Sequence, residues 1–179
     1  MTSHRIIEVV PSDPNWWFAY QIESSRLAEV LGDVLVLAHH IGSTAVPALA
    51  AKPVIDILLE VTDLAALDAK EIAMQQLGYT PRGELGIAGR RFYLRGLVQR
   101  THHVHAFVQG SPDVLRHLAF RDYLVAHPSV ALQYAQLKQQ CAAACDNDND
   151  KYCEGKQAFV VEHERKAVAW YVGNQSDAV

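Results

Sequence analysis

A glycine, a serine and a threonine close an apolar run at Gly42-Ser43-Thr44, and a lysine and an aspartate follow at Lys52 and Asp56. A glycine at the end of a buried strand lets the backbone turn sharply and come close to a ligand. The hydroxyls and amides of Ser43 and Thr44 then form a suitable cradle for phosphate oxygens, above all at a helix start. Asp56 interrupts an otherwise apolar stretch, Val54 to Val61, broken again only at Glu60. A buried carboxylate without a partner is costly, so a divalent metal or another cation is its natural companion. The competing reading makes Gly-Ser-Thr an ordinary turn and pairs Asp56 structurally with Lys52 or an arginine.

A second group is His102-His103-Val104-His105. Alternation along a strand puts His103 and His105 on one face, roughly 6.5 to 7 Å apart. Two imidazoles at that spacing reach one ion, with Asp56 as a third ligand if its strand is the neighbour. The alternative is that each histidine is satisfied by structural hydrogen bonds. A third group is scattered through the C-terminal half: Arg121, Lys138, Tyr152 and Lys156. Tyr152 and Lys156 are four apart and share a helix face. Together the four would close over a polyanion, against the plain reading of solvated surface lysines. Cys141, Cys145 and Cys153 contain no CxxC pair and read as reduced thiols that pack, not as a disulfide framework.

The elements that must carry these residues follow from periodicity and punctuation. Asp13-Pro14 opens a helix whose apolar positions run Trp17, Tyr20, Leu27 and Leu31, and Gly32 ends it. Val34 to Ile41 and Val54 to Val61 read as buried strands, joined by a connection with a helical turn near Val46 to Ala51. Asp63 caps a helix to about Leu77. Strands are expected at Tyr79 to Pro81, Arg91 to Leu97 and His102 to Val108, with a glycine-rich connection from Gly83 to Gly89. From Ser111 the pattern is helical, with a break at His127-Pro128, a polar turn at Asp146 to Asp150 and a frayed tail after Gly173. This is one α/β (α+β) domain over 1–179: a mixed sheet packed with helices over 1–110, then a helical part over 111–173.

Composition bounds the rest. Half of the 179 residues are hydrophobic and a fifth are charged, with a net charge of −4. That balance is globular and lacks the basic field of a non-specific nucleic-acid binder. No apolar run approaches the roughly 20 residues of a membrane span. The first residues lack the layout of a secretion signal, and the thiols suit a cytoplasmic setting.

The run His40-Ile-Gly-Ser-Thr-Ala-Val-Pro-Ala-Leu-Ala-Ala-Lys-Pro-Val-Ile-Asp56 resembles the signature of the GrpB family. The likeness continues through Arg91-Phe92, His103-x-His105, Leu118-Ala-Phe-Arg-Asp-Tyr-Leu124, His127-Pro128, Tyr134, Leu137-Lys138 and Tyr152-x-x-x-Lys156. Domains of this family are similar to nucleotidyltransferases in fold and occur alone or fused to dephospho-CoA kinase. The resemblance implies a nucleotidyltransferase-like core in which a Gly-Ser turn holds the triphosphate and strand carboxylates bind divalent metal. The sequence departs from the broad superfamily pattern of two acids two residues apart, since Leu58 follows Asp56. Glu60 is on the same face about 13 Å further along, and the histidine strand takes the place of a third carboxylate.

Two functions are therefore expected. In the first, a nucleotide or phosphorylated small molecule is held by Gly42, Ser43, Thr44, Lys52, Arg121, Lys138, Tyr152 and Lys156. Asp56, His103 and His105 ligate Mg²⁺ or Mn²⁺, or Zn²⁺ given the imidazoles, and Asp56 and Lys52 serve nucleotidyl or phosphoryl transfer. In the second, the chain is a catalytically inactive nucleotide-binding or accessory module. No membrane or nucleic-acid partner is indicated.

Overall fold

The computed structural model of the protein describes residues 6–176. The Asp13 carboxylate accepts the Asn15 amide N–H at 2.9 Å, and α1 (Asn15–Leu31) starts just after Pro14. Gly32 ends it at φ 55°, a backbone state that costs glycine little. Residues Gly32–Val34 form one 3-10 turn, so β1 (Leu35–Ile41) begins one residue later than the sequence pattern suggests. The other strands are β2 (Ile55–Val61), β3 (Tyr79–Pro81), β4 (Arg91–Arg95) and β5 (His102–Val108). Their order is β1-β2-β5-β4-β3, with β2 and β5 parallel and the other pairs antiparallel. β4 stops at Arg95 instead of reaching Leu97, because Gly96 turns the chain with φ 96°.

β1 is an edge strand, which corrects the expectation that it is buried throughout. Only His40 and Ile41 at its C-terminal end are buried, and Leu37 is 49% exposed. Its free edge is occupied from both sides: the Tyr20 hydroxyl donates to the Ala38 carbonyl at 2.9 Å, and Arg121 donates to the His40 carbonyl at 3.2 Å. Capped carbonyls leave less of an open ladder for another chain to join.

Strand alternation divides the sheet. Ile55, Ile57, Leu59 and Val61 face α1 and build the main core with Leu27, Leu31, Tyr93, Val104 and Ala106. Asp56, Leu58 and Glu60 face the other way, with His103, His105 and Phe107 beside them in register on β5. That second face packs through Ile41, Leu58, Phe107 and Val114 on α4 (Pro112–Ala126). The single helix expected from Asp63 to Leu77 is two, α2 (Leu64–Asp68) and α3 (Glu71–Gln76). Lys70, at φ −92° and ψ 5°, leaves helical geometry between them, where Asp68 is drawn to Arg91 at 2.7 and 2.8 Å.

The helical part holds α4, α5 (Pro128–Ala144) and α6 (Asn149–Ser176). Ser111 caps α4, and Pro128 restarts the chain as α5 after His127 leaves helical geometry. Ala119, Tyr123 and Ala167 join α4 to α6, and Tyr134 stacks on Phe159 at 5.0 Å to join α5 to α6. Helical structure continues through Ser176, past the fraying expected at Gly173; residues 177–179 lie outside the described part. No helix of the described residues is long and apolar enough to cross a membrane.

Candidate functional site

The chain leaves β1 at Gly42 with φ 69°, and Ser43–Ala45 form one 3-10 turn. The helical turn thus falls earlier than the expected Val46 to Ala51. A side chain at position 42 has no room, since a Cβ there would lie 2.6 Å from Asp56 Oδ2. The glycine therefore lets the turn and the carboxylate touch. Thr44 does not present its hydroxyl to a ligand as expected; it is buried and bonded to His40 Nε2 at 2.9 Å. His40 stacks on Tyr20 at 4.8 Å. Burial, against the Asp56 charge and with that of Arg121, lowers His40 to about 4. Thr44 and His40 fasten the turn to the sheet, and Ser43 is left to face the site.

Asp56 leads β2 toward that turn, and the parallel register sets His103 directly beside it. His103 Nδ1 is 3.1 Å and His105 Nε2 is 3.7 Å from the same oxygen, Asp56 Oδ1. Burial works against ionisation of Asp56, but the hydrogen bond from His103 and the nearness of both imidazoles hold its carboxyl well below the usual carboxylate range. Burial pushes His105 down, with the nearby Asp56 carboxylate working against it. Phe92 closes this layer at 5.5 Å from the His103 ring and 4.8 Å from the His105 ring, and His117 of α4 lies 5.3 Å beyond.

One histidine hydrogen-bonds the carboxylate and the other lies within ion-pair distance of the same oxygen, an arrangement different from the three-ligand metal shell expected from the sequence. The nitrogens that would ligate an ion point at the carboxylate itself, and the opposite ones, His103 Nε2 and His105 Nδ1, are buried without a hydrogen-bond partner among the described residues. Among the described residues, no group of three or more His, Cys, Asp or Glu side chains is arranged to hold a metal. What the geometry leaves open is Asp56 Oδ2, on the Gly42 side of a carboxylate that keeps 27% exposure. One carboxylate oxygen suits a hard cation whose remaining ligands are phosphate oxygens and water. Glu60, the other acid on this face, is committed to His39 at 2.8 Å.

Lysines gather opposite the turn. Lys52 is 4.4 Å from the centre of the Tyr152 ring and donates to Asn149 Oδ1 at 3.3 Å, and Lys156 is 5.4 Å from the same ring. Lys138 is buried at 2% exposure, lies 4.6 Å from the Tyr134 ring and donates to the Ala50 carbonyl at 2.6 Å. Burial first, then Lys156, lowers Lys138 to about 7, with Asp56 acting the other way. Tyr134 joins the two sides of the site. Burial and the Asp56 charge raise its hydroxyl, and the nearby Ser43 side chain opposes them. Arg121 is not among these groups: it is tied to Asp122 at 2.7 Å and braces β1.

Asn149 and His117 were not singled out by the sequence, and His40 and Tyr134 entered only within the run and the likeness quoted for the family, with no role assigned. Tyr134 carried a signal, being one helical turn before Lys138. Asn149 carried none, because its part depends on how the start of α6 meets the loop at Lys52.

Comparison with known proteins covers most of the chain. The family model described as GrpB protein matches residues 6–166. YqkA of Bacillus subtilis is 43% identical over 172 residues, covering 96% of this chain and 50% of that protein. A dephospho-CoA kinase of Mycolicibacterium paratuberculosis is 29% identical over 190 residues, covering 92% of this chain and 46% of the kinase. The chain thus spans about half the length of these two relatives. The crystal structure of the conserved protein GrpB from Enterococcus faecalis superposes with a TM-score of 0.88 at 39% identity, covering 92% of this chain and 99% of that one. With its turn, its Asp56 strand and its histidine strand inside the matched region, the chain belongs to the GrpB family.

Proposed function

We propose that this protein binds a nucleotide or another phosphorylated small molecule at the Gly42–Asp56 turn. Its chemistry in this reading is metal-dependent nucleotidyl or phosphoryl transfer. The observation that carries it is the meeting of Ser43, Asp56 and three lysines around the Tyr134 and Tyr152 rings. Lys52 and Lys156 sit as point charges for phosphate oxygens, and Ser43 offers a hydroxyl beside them. Asp56 is the residue that would hold Mg²⁺ or Mn²⁺ brought by the phosphates, and such an ion would supply charge neutralisation during transfer. His103 and His105 keep the carboxylate ionised and fixed in direction. This arrangement gives no support to zinc, which prefers three or four protein ligands.

A second reading, a catalytically inactive nucleotide-binding or accessory module, is favoured by one observation. Leu58 is fully buried where a second metal-binding acid would stand, and Glu60 is tied to His39. Thermal unfolding against ATP, GTP, CTP and UTP, with and without Mg²⁺ or Mn²⁺, tests the binding common to both readings. A ligand at about 100 times its dissociation constant contributes roughly 2.7 kcal/mol. The expected result is a metal-dependent rise of the midpoint with at least one nucleotide, lost in Asp56→Asn and reduced in Lys52→Ala. No rise with any combination overturns both. Turnover of the bound nucleotide then separates enzyme from module.

A further inference from the structure

The aromatic rings that carry the lysines of the site, Tyr134 and Tyr152, have no open face to offer a ligand. Tyr152 is 1% exposed, with the Lys52 ammonium 4.4 Å and the Lys156 ammonium 5.4 Å from its ring centre. Tyr134 is 5% exposed; Phe159 lies parallel to it at 5.0 Å, and the Lys138 ammonium is over it at 4.6 Å. Phe159 in turn has the His163 ring 4.1 Å away. Proteins commonly hold a base by stacking it on such a ring. Here ammonium groups and neighbouring rings occupy the faces that a base would need.

The polar groups that could read the edge of a base are engaged as well. The Asn149 amide accepts from Lys52 through Oδ1 at 3.3 Å and donates through Nδ2 to Cys153 Sγ at 3.7 Å. Thr44 is bonded to His40 at 2.9 Å. Ser43 remains at the turn, and its hydroxyl both donates and accepts, so it does not tell one base edge from another.

Positive charge is what the site presents. Lys138 is 2% exposed, yet among the described residues it is in no ion pair; its ammonium meets the Ala50 carbonyl at 2.6 Å and the Tyr134 ring. Lys156 is in no ion pair among the described residues either. A buried charge is ordinarily matched by an opposite one, which makes an anion the natural counterpart. An ammonium is a compact charge without the planar fork of a guanidinium. It attracts phosphate oxygens without selecting what they are attached to, and ammoniums spread over two rings suit a chain of phosphates better than a single one.

We propose that the site recognises a condensed phosphate chain and is indifferent to the base, so that inorganic triphosphate and the triphosphate end of any nucleotide are one ligand class. This stands only with the reading that the Gly42–Asp56 turn binds phosphate.

Calorimetric titration of the whole protein with inorganic triphosphate, ATP, GTP, CTP and UTP in the presence of Mg²⁺ tests it, with inorganic monophosphate as the short comparison. The expected result is one saturable site at which the triphosphate ligands agree within about threefold and monophosphate binds at least about tenfold more weakly. Lys156→Met should weaken inorganic triphosphate and every nucleotide by a common factor of about tenfold, as loss of a charged contact does. Lys166→Met removes the same charge further along α6, where the side chain is 42% exposed and paired with Glu162, and should leave the affinities unchanged. One nucleotide bound more than about tenfold tighter than inorganic triphosphate overturns the indifference to the base and leaves the phosphate site standing. A loss in Lys156→Met confined to the nucleotides does the same. Monophosphate binding as tightly as the chain overturns the proposal, and so does unaltered affinity in Lys156→Met or equal weakening by Lys166→Met, which would mean attraction to overall charge. No saturable phase with any of these ligands overturns both this recognition and the phosphate site itself.

Discussion

Gly42 shows how one residue type sets the geometry of the site. Its φ of 69° lies in the left-handed region, and its missing Cβ is what lets Asp56 Oδ2 approach. Asp56 cannot easily withdraw, because His103 and His105 hold its other oxygen. Strain and overlap therefore act together in Gly42→Ala. We expect a loss of about 2–4 kcal/mol, read from urea unfolding. A loss under about 1 kcal/mol would mean that the turn moves freely relative to β2 and that the contact is not a constraint.

At the scale of elements, α5 is joined to the turn by a buried ammonium. Lys138 reaches under the 46–50 segment to the Ala50 carbonyl, while Val46 and Leu49 pack on Ala131 and Ala135 of the same helix. Its pKa is lowered from 10.5 to about 7. The unfolded chain then binds the proton more tightly than the folded one between those values. The contribution of Lys138 to stability consequently rises as pH rises from about 7 to 10.5. Lys138→Met keeps the length of the side chain and removes the charge. Relative to the parent, the variant should be most favoured at pH 6 and lose that advantage steadily toward pH 10, in thermal unfolding at fixed ionic strength. A difference that does not change with pH would show that Lys138 titrates normally in the folded state.

For the molecule as a whole, acid is the expected weakness. His40 and His117, on opposite faces of the sheet, are lowered to about 4 and about 3, in both cases chiefly by burial. The unfolded chain protonates both near their ordinary value of 6.5. Stability from these groups is thus fully present above that value and falls as pH drops toward 4. The steepest loss is up to about 1.4 kcal/mol per pH unit for each. Asp56 adds to the loss only below the ordinary carboxylate range, since its folded pKa is depressed. The midpoint of thermal unfolding should decline between pH 6.5 and 4; a flat profile there would mean that both imidazoles reach solvent in the folded protein.

Local signals were enough to find most elements. Alternation with an apolar background marked β2 and β5, and Asp13, Ser111, Gly32 and Pro128 marked helix ends, because caps and stops act through backbone geometry within a few residues. The same economy identified Gly42, Asp56, His103 and His105, whose types are costly to bury without a reason. It did not determine that β1 is an edge or that the helix after Asp63 breaks, since those depend on a neighbour: the missing strand in one case and Arg91 in the other. Nor did it separate Lys138 and Lys156, which meet the turn, from Arg121, which braces β1, or show that both histidines lie against one oxygen of the carboxylate. Distances between side chains far apart in sequence are set by strand register and helix packing, and these were decided only when the parallel pairing of β2 with β5 and the stacking of α5 on α6 were formed.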